Sequence, residues 1–599
     1  MHKQVDKITL EVIYHRLVSI ADEMQHVLIR SSFSSIVKEA QDCTTALFDA
    51  EAKTIAQATS IPIHLGTLME AIPQIIKQFP PSETQEGDVY IFNDPYTGGT
   101  HLPDIAMATP IIYKGEIVAY STSMVHHQDI GGMKPGVSTS ATSMYQEGLN
   151  LPPVKFYEAG KPVKMIHDII RNNVRIYNQV LGDLGGQVAA GNVGRLRILE
   201  VIDEYGKEIV LGAINQLMDY SEVSTREEIK NLPNKTSYFV DWLDNDGVEL
   251  DKKIKFQVAL TIKKSDIILD FTGSSPQVMG PLNCTSSGSL AAAAYALRSI
   301  IAPLIPSNDG CFRVIQRILP EGSIVNPKRP SPTGVRSSTI GRIADTIFGA
   351  LIKIVPERVA ACSGGGIGGV VYFGGTDPLT DKEYVFLDIF FAGQGARPTK
   401  DGIDAISQDV YNVRTVPAES LEMNFPFRVL KAGLRENSAG AGEYRGGLGM
   451  VKILEFLRGR NASVTFRGMR FYTQPWGIFG GLPGRNAKAF ILRKKGKKEI
   501  ILSNKDLIMN EGDQLHIFSP GGGGYGDPLK RNPETVLRDV LDKRVSIKAA
   551  ADEYGVVIIE EDSKKKLDLE KTSELRKNKA KVRGPITWIY DRGGGEKER

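Results

Sequence analysis

Apolar and polar positions along the first 130 residues predict a long helix followed by short strands. Apolar residues recur at helical spacing from Ile8 to Leu28, which predicts an amphipathic helix. Runs typical of strands follow at 45–48, 54–58, 88–92, 106–113 and 116–125, with a helix at 67–78 between the second and the third. Asn93-Asp94-Pro95 is a turn signal that ends the third run and opens a glycine-rich loop.

The pattern changes several times after this region. It is helical from about 160 to 220, strand-like from about 235 to 275, and helical again at 291–301 and 340–354. Glycine then rises sharply at 363–375, 392–398, 440–449 and 520–528, with strand-like segments between these stretches. Beyond about residue 560 the chain is rich in lysine, and we expect a helix and a frayed end there.

These changes predict a multi-domain α+β protein with four parts. An N-terminal α/β part at 1–220 contains the residues with candidate chemistry, and a middle α/β part follows at 221–400. A glycine-rich, strand-rich part is predicted at 401–535, and a helical, charged tail at 536–599. The succession of mixed and strand-rich parts is typical of α+β chains.

Composition narrows the class of protein. The 599 residues are 41% hydrophobic, and their net charge of +3 indicates neither nucleic acid nor an anionic membrane as a partner. The four cysteines lie far apart without a CxxC pair, so we expect reduced thiols. The N-terminus lacks the apolar core of a signal peptide, and the longest small-apolar run is interrupted by Arg298. We therefore expect a cytoplasmic protein.

The distribution of histidine is the strongest signal of chemistry. Four of the nine histidines lie within 64 residues of one another and near four aspartates: His64, His101, His126 and His127, with Asp42, Asp94, Asp104 and Asp129. Imidazoles and carboxylates together form a nitrogen and oxygen shell that suits zinc, manganese or iron. The residues alone leave a second interpretation open, in which these are hydrogen-bonded histidines of the core or of turns.

The positions of these residues limit which of them can meet. His101-Leu-Pro-Asp104 lies on the glycine-rich loop, where glycine lets the backbone turn sharply and bring two side chains to one point. His126 and His127 follow the strand-like run at 116–125. Consecutive side chains of a strand point to opposite faces, so at most one of the two is expected to join a shared site.

The glycine-rich segments do not predict a nucleotide site. No G-x-x-x-x-G-K-[ST] sequence occurs, and neither 363–369 nor 520–524 has the helix that a dinucleotide-binding loop requires. Tight turns and close backbone packing explain these segments better. No G-x-S-x-G sequence occurs either, and no cysteine has a histidine nearby in sequence, so nothing supports a nucleophilic mechanism.

Several long motifs resemble those of the hydantoinase B/oxoprolinase family. They are K-E-A-Q-D at 38–42, I-P-I-H-L-G at 61–66, N-D-P-Y-T-G-G-T-H-L-P-D at 93–104, H-H-Q-D-I-G-G at 126–132, S-A-G-A-G-E-Y-R-G-G-L-G at 438–449 and P-G-G-G-G-Y-G-D-P at 520–528. The resemblance covers about residues 5 to 535. It therefore concerns nearly the whole chain and does not rest on one short motif.

The resemblance implies a hetero-oligomer in which two different chains carry out successive steps of one reaction. In the family, a larger A-type subunit uses ATP to phosphorylate the carbonyl oxygen of a cyclic amide, and the B-type chain completes the reaction at a divalent metal. The segments that carry the family's metal ligands match Asp42, His101, Asp104 and His126 here, with His127 as an alternative to its neighbour. Asp129 or Glu39 is expected to act as a general base or to hydrogen-bond a ligand.

The expected activity is the ATP-dependent opening of a hydantoin, 5-oxoproline or another lactam. A subunit of an ATP-dependent ketone carboxylase, of the acetone or acetophenone type, is the alternative that the motifs do not separate. One departure bears on the substrate: many members have D-L-R-A-Q where this chain reads D-L-G-G-Q at 183–187. The arginine is lost, so the identity of the substrate is not carried over.

Overall fold

The computed structural model describes residues 5–561 and 564–598. Helices and several separate sheets occur over these residues, in agreement with the predicted α+β class. One hydrophobic cluster includes residues from Val5 to Tyr590, so the same core is shared by distant parts of the chain. The boundaries at 220, 400 and 535 stay a prediction. No helix of the described residues is both long and apolar enough to cross a membrane.

Residues 5–230 form a seven-stranded sheet with helices against it, here called the first sheet. Its strand order is β2-β1-β5-β4-β3-β6-β7. The elements of this region are α1 (Lys7–Ser31), α2 (Ser35–Lys38), β1 (Cys43–Asp49), β2 (Thr54–Gln57), α3 (Pro62–Gln78), β3 (Val89–Phe92), β4 (Asp104–Tyr113), β5 (Glu116–His126), β6 (Val154–Glu158), β7 (Lys161–Pro162), α4 (Lys164–Asn173), α5 (Tyr177–Tyr205) and α6 (Lys207–Lys230).

Strand β1 is buried along its whole length because helices cover both of its faces. Leu47 belongs to the core cluster that includes Leu28 of α1, and the hydroxyl of Thr45 donates to the carbonyl of Ala21 in the same helix. Phe48 points the other way and belongs to the cluster of α3, which includes Leu68. This alternation of period two is what a doubly covered strand requires.

The middle of the chain contributes a four-stranded sheet and two helices. The sheet has the order β11-β10-β9-β8, with only β10 and β11 parallel. Its elements and the neighbouring helices are β8 (Thr236–Leu243), β9 (Ile254–Lys263), β10 (Asp266–Asp270), α7 (Ser286–Ile300), β11 (Ile315–Ile318) and α8 (Arg336–Ile352). Helix α8 is buried almost throughout. A helix that is buried on every side lies inside a protein core.

The remaining described residues form four smaller sheets. One of them, β13-β12-β16-β20, faces the candidate site and is called the cavity sheet; the others are β14-β15-β21-β18-β19, β17-β24-β25 and β22-β23. The elements are β12 (Ile367–Asp377), β13 (Lys382–Phe391), α9 (Ala418–Asn424), β14 (Phe427–Leu434), β15 (Met450–Phe456), β16 (Ala462–Gly468), β17 (Gly477–Ile478), β18 (Lys488–Leu492), β19 (Lys498–Ile501), β20 (Lys505–Met509), β21 (Gln514–Phe518), α10 (Pro533–Leu541), α11 (Ile547–Tyr554), β22 (Val557–Glu561), β23 (Lys564–Asp568), α12 (Leu569–Arg583), β24 (Tyr590–Asp591) and β25 (Lys597–Glu598).

The end of the chain differs from the frayed end expected from its composition. Tyr590 is fully buried, and its hydroxyl donates to the carbonyl of Gly349 at 2.6 Å. Its ring packs against Phe239 and Trp476, and β24 pairs with β17. A single aromatic side chain therefore anchors a segment whose average composition is polar, because one such ring buries a large apolar area.

Candidate metal centre

The loop between β3 and β4 brings His101 and Asp104 together. The carboxylate of Asp94 accepts from the backbone N–H of Tyr96 at 2.9 Å and starts a short turn. Gly98 ends that turn with φ of 97°, and a Cβ there would lie 2.6 Å from the carbonyl oxygen of Glu70. Glycine is required at this position because other residues rarely adopt the left-handed region and no space is left for a side chain.

Three side chains at the ends of β4 and β5 form what we call the histidine cluster. Potential ligand atoms of His101, Asp104 and His126 all lie within 4.8 Å of one another, and all three residues are buried. His101 Nε2 lies 2.9 Å from Asp104 Oδ1. Register explains the third member, because Asp104 and His126 are direct partners across the antiparallel pair β4–β5.

His64 at the start of α3 adds a second imidazole to the same carboxylate oxygen. Its Nε2 lies 3.3 Å from Asp104 Oδ1 and 3.7 Å from Asp42 Oδ1. Asp42 precedes β1, and its backbone carbonyl accepts from the N–H of His126 at 3.0 Å. Burial raises the pKa of Asp42 to about 6, although 16% of its side chain stays exposed. His64 and Asp42 therefore lie beside the histidine cluster.

The hydrogen bond of His101 Nδ1 indicates which ring nitrogen carries the proton and which one keeps a free lone pair. Its Nδ1 lies 3.0 Å from the carbonyl oxygen of Gly334, which only accepts, so Nδ1 carries the hydrogen. Burial, followed by the nearby charge of Arg336, lowers the pKa of His101 to about 4, so the ring is neutral at pH 7. With the proton on Nδ1, the Nε2 lone pair faces Asp104 Oδ1 at 2.9 Å, an arrangement that a cation bound to both atoms would satisfy.

Asp104 is held in its charged form. Burial alone would raise its pKa, yet the Arg336 guanidinium and the imidazoles of His101 and His64 hold that pKa well below its usual range. Its second oxygen, Oδ2, accepts from Arg336 Nη2 and from the hydroxyl of Thr100. Only Oδ1 therefore remains for another ligand, and this oxygen faces the imidazole nitrogens.

The donor set and its spacing fit a divalent metal. Two ligand atoms about 2.0–2.2 Å from one tetrahedral zinc ion are roughly 3.3–3.6 Å apart. The 3.3 Å from Asp104 Oδ1 to His64 Nε2 matches this spacing, and the 2.9 Å to His101 Nε2 is shorter than it. The Nδ1 atom of His126 is buried and has no hydrogen-bond partner among the described residues, which leaves it free to bind a metal. The nitrogen of His64 that faces Asp104 is Nε2, and the unpartnered Nδ1 atoms of His64 and His127 carry no such argument.

His126 and His127 lie on opposite sides of the end of β5. His126 Nε2 lies 3.3 Å from the hydroxyl of Tyr372, and its ring is 5.0 Å from that of His101. His127 Nε2 instead lies 3.3 Å from Gln187 Oε1. The separation follows the alternation expected of a strand, so His126 is the neighbour that joins His101 and Asp104.

Two residues predicted to assist the reaction are not brought to the cluster. Asp129 is held by Arg175, whose guanidinium donates at 2.9 Å and whose backbone N–H donates at 2.6 Å. Both of its oxygens are engaged there, so Asp129 fixes a loop. Glu39 lines a different pocket together with Lys38 and Arg458. Asp94, also near the histidines in sequence, pairs with Arg329.

A small cavity of about 40 Å³ lies next to the histidine cluster, between the first sheet and the cavity sheet. Its polar lining consists of Asp42, His64, His126, Arg336, Ser337 and Arg467. The rest is apolar, with isoleucine, leucine and valine side chains and the rings of Tyr372 and Tyr411. An apolar wall with a few converging polar groups is the lining typical of small-molecule sites, but about 40 Å³ holds only a few water molecules.

Sequence reasoning missed most of the polar residues that come from other parts of the chain. His64 was among the clustered histidines but not among the expected ligands, although it lies in the I-P-I-H-L-G motif. Arg336, Ser337 and Arg467 are more than 200 residues away from the histidines and carry no motif of their own. Only the packing of α8 and β16 against the first sheet reveals them.

A second group of potential ligands, called the arginine cluster, lies elsewhere in the core. Ligand atoms of Asp241, Asp345 and Cys362 also lie within 4.8 Å of one another. Here arginines fill the space between them: Arg342 donates to Asp241 at 2.8 Å, and Arg470 donates to Asp345 at 2.9 Å and to Cys362 Sγ at 2.7 Å. Burial raises the pKa of the Cys362 thiol well above its usual value, so this sulfur is protonated.

Comparison with known proteins decides the family. The family model described as hydantoinase B/oxoprolinase matches residues 6–528. The chain belongs to this family. A caprolactamase subunit beta from Pseudomonas jessenii is 32% identical over 582 residues, which are 92% of this chain and 96% of the relative. A protein of Methanocaldococcus jannaschii is 38% identical over 577 residues, covering 96% of this chain and 100% of the relative.

Solved structures place this hydantoinase B/oxoprolinase chain in a known fold. The crystal structure of the ATP-dependent caprolactamase from Pseudomonas jessenii has a TM-score of 0.85 at 31% identity and covers 96% of this chain and 100% of that chain. The nucleotide-free structure of acetone carboxylase has a TM-score of 0.90 at 20% identity, covering 97% of this chain and 84% of that chain. At that identity, the second likeness concerns the fold alone.

Proposed function

We propose that this chain is the metal-dependent B-type subunit of an ATP-dependent hydrolase that opens a cyclic amide. His101, Asp104 and His126 would hold a zinc, manganese or iron ion, with His64 and Asp42 beside it. A partner A-type subunit would use ATP to phosphorylate the amide oxygen of a hydantoin, 5-oxoproline or lactam. The observation that carries the proposal is the close approach of His101, Asp104 and His126, whose potential ligand atoms lie within 4.8 Å of one another in the core.

The relatives support the partner and the reaction class. A relative over nearly the full chain is named a subunit beta of caprolactamase, and the caprolactamase structure of similar fold is described as ATP-dependent. A relative that is named as a subunit implies a second chain. The sequence of the present chain contains no phosphate-binding loop. The four cysteines are free and buried, in keeping with a reducing compartment such as the cytoplasm.

Each residue has a role that its contacts suggest. Gly334 fixes the His101 ring through Nδ1 and so directs Nε2 towards the metal. Arg336 and Thr100 orient Asp104 by binding its other oxygen. A metal held here would polarise the substrate and lower the pKa of a water molecule. The apolar wall of the cavity would exclude bulk water from the activated amide.

Reconstitution with an A-type subunit tests the activity. The purified pair should release ring-opened product from at least one of hydantoin, 5-oxoproline and caprolactam, and only with ATP present. The matched variants His126→Ala and His127→Ala separate metal binding from packing, because these neighbours have the same side chain on opposite sides of β5. The first should lose metal and turnover, whereas the second should keep metal and lose stability.

Two results would contradict the proposal. Turnover that continues without ATP would remove the need for an A-type subunit, and full metal content in His126→Ala would place the metal elsewhere. Acetone with bicarbonate belongs in the same substrate panel, since the motifs resemble those of ketone carboxylases as well. Product formation only in that arm would replace the hydrolase with a carboxylase.

A further inference from the structure

Arg467 differs from the other fully buried arginines of the described residues. Those others each form an ion pair with a carboxylate: Arg336 with Asp104, Arg342 with Asp241, Arg445 with Asp404, Arg470 with Asp345 and Arg531 with Asp401. Arg467 is only 5% exposed, yet no carboxylate of the described residues lies within 4.0 Å of its nitrogen atoms. Its Nη2 donates to the hydroxyl of Ser337, and its Nε, like that of each of these other arginines, has no partner among the described residues.

A buried guanidinium without an anion is costly. Arginine stays protonated in proteins, so it cannot relieve the cost of burial by losing a proton. Removing such a charge from water costs several kcal/mol unless an opposite charge or several hydrogen bonds compensate. Ser337 offers one hydroxyl oxygen, which satisfies one of five N–H groups. The guanidinium therefore has donor capacity beyond Ser337, at Nε.

The register of the cavity sheet directs Arg467 towards the candidate site. Arg467 of β16 pairs with Val370 of β12, which in turn pairs with Ile389 of β13. Residues paired across strands share a face of the sheet. All three line the cavity that also contains Asp42 and His126. The guanidinium therefore belongs to the wall opposite the histidine cluster.

Helix α8 adds a second source of positive potential. It starts at Arg336 and continues for 17 residues, and Ser337 lies in its first turn. The N-terminus of a helix carries a partial positive charge that attracts anions. Arg336 lines the cavity too, but its charge is engaged by Asp104. Arg467 has no such contact: the charge of Arg467 acts to lower the pKa of Asp42 across the cavity, but no carboxylate of the described residues lies within 4.0 Å of it.

We propose that Arg467, with Ser337 and the first turn of α8, forms an oxyanion-binding subsite that holds the substrate's phosphoryl or carboxylate group beside the histidine cluster. This inference rests on the proposed function, in which an amide phosphorylated by the partner must be received by this chain. Two oxygens of such a group match the fork of a guanidinium. The apolar wall, which includes Ile61, Val370 and Leu387, suits an uncharged ring on the other side of the substrate.

Anion binding by the full-length chain tests the subsite. Inorganic phosphate and acetate are titrated by calorimetry into the wild type, Arg467→Met and the control Arg458→Met. Methionine removes the charge and keeps much of the length, and folding is expected to survive because no carboxylate loses a partner. The control removes an arginine that pairs with Asp377 outside the cavity. Arg467→Met should weaken binding by about tenfold or more, and Arg458→Met should leave it unchanged.

The two probes distinguish the sources of the oxyanion. Preference for phosphate over acetate assigns the subsite to the phosphoryl group, whereas preference for acetate assigns it to a substrate carboxylate. Equal binding by the wild type and Arg467→Met overturns the inference, as does a wild type that binds neither anion. Arg467→Lys serves as the second variant: it keeps the charge without the fork and should bind more weakly than the wild type but more tightly than Arg467→Met.

Failure of the subsite can be told apart from failure of the proposed function. If His101→Ala loses phosphate binding while Arg467→Met keeps it, the anion sits on the metal and the subsite is wrong, with the hydrolase proposal intact. If phosphate binds through Arg467 but the reconstituted pair opens no cyclic amide with ATP, the subsite stands and the hydrolase proposal fails.

Discussion

The histidine cluster and the arginine cluster contain equally close sets of potential ligands, yet their surroundings differ. Each brings three ligand atoms within 4.8 Å of one another in the core. In the arginine cluster two guanidinium groups already lie against the carboxylates, and the thiol is protonated. In the histidine cluster Arg336 lies against only one oxygen of Asp104, and the other oxygen faces imidazole nitrogens. Proximity alone therefore does not distinguish a candidate metal site; a carboxylate oxygen that faces imidazoles and no guanidinium does.

The largest effect should follow from changing one member of each cluster. His101→Ala removes a nitrogen that faces Asp104, so metal content should fall from about one ion per chain to a trace, and turnover should fall by more than about 100-fold. Cys362→Ala should leave the metal content unchanged because the arginine cluster already holds its cations. Elemental analysis of both purified variants measures this difference. Equal metal loss in both would erase the distinction between the clusters.

The free energy of unfolding should instead depend on the arginine cluster. Arg470→Met leaves the buried carboxylate of Asp345 without its closest partner, which should lower the free energy of unfolding by about 3–5 kcal/mol. Metal content per folded chain should stay at the wild-type value. Denaturant unfolding followed by circular dichroism checks the first expectation. A loss below about 1 kcal/mol would mean that the arginine cluster is not a structural ion-pair network.

A smaller effect on metal binding is expected for a change at Glu147, which reaches the histidine cluster through Gly334. Glu147 accepts from the backbone N–H groups of Thr333 and Gly334, and the carbonyl of Gly334 is the partner of His101. Glu147→Gln replaces one acceptor with an amide group, which should cost about 1 kcal/mol and weaken metal binding by about tenfold. Competition with a metal chelator measures the affinity. Unchanged affinity would show that the Gly334 loop is fixed without Glu147.

The same variant changes the dependence of stability on pH. Burial raises the pKa of Glu147 from 4.5 to about 8. Between these values the folded chain keeps a proton that the unfolded chain loses, so this group lowers the free energy of unfolding as pH rises and has no further effect above about 8. From pH 6 to 8 the fall should therefore be steeper in the wild type than in Glu147→Gln. Parallel profiles would exclude a raised pKa.

Arg467→Met should cost the least stability of these variants. This arginine has no carboxylate within 4.0 Å among the described residues, so its replacement relieves the cost of burying the charge and should not lower the free energy of unfolding. Arg470→Met is the matched comparison, since both side chains are buried and only one is paired. Similar losses in the two variants would indicate that an unnoticed anion already compensates Arg467.

The local part of the site could be predicted from the sequence, and the distant part could not. The glycine-rich loop predicts that His101 and Asp104 meet, and strand alternation separates His126 from His127. These contacts depend on short-range geometry. Asp129 is also near in sequence, but Arg175, 46 residues away, holds it outside the cluster. A sequence pattern does not predict which of several charged groups pairs with a given carboxylate.

The same limit applies to the fold. Helix α1 was predicted within about two residues because its apolar stripe is long and regular. The last strands were missed because one buried ring, Tyr590, anchors them, and a single residue has no periodicity. The ligand set of the metal stays a prediction.

The hydrogen bond from His101 to Gly334 has a consequence for synthesis of the chain. The two residues are separated by 233 positions, and a ribosome that adds about 5–20 residues per second needs roughly 12–47 seconds to pass from one to the other. During that interval His101 lacks the carbonyl that orients its ring, and Asp104 lacks Arg336. A metal ion captured before residue 336 emerges would therefore bind a site that lacks these contacts. We expect correct metal binding only once the chain is complete.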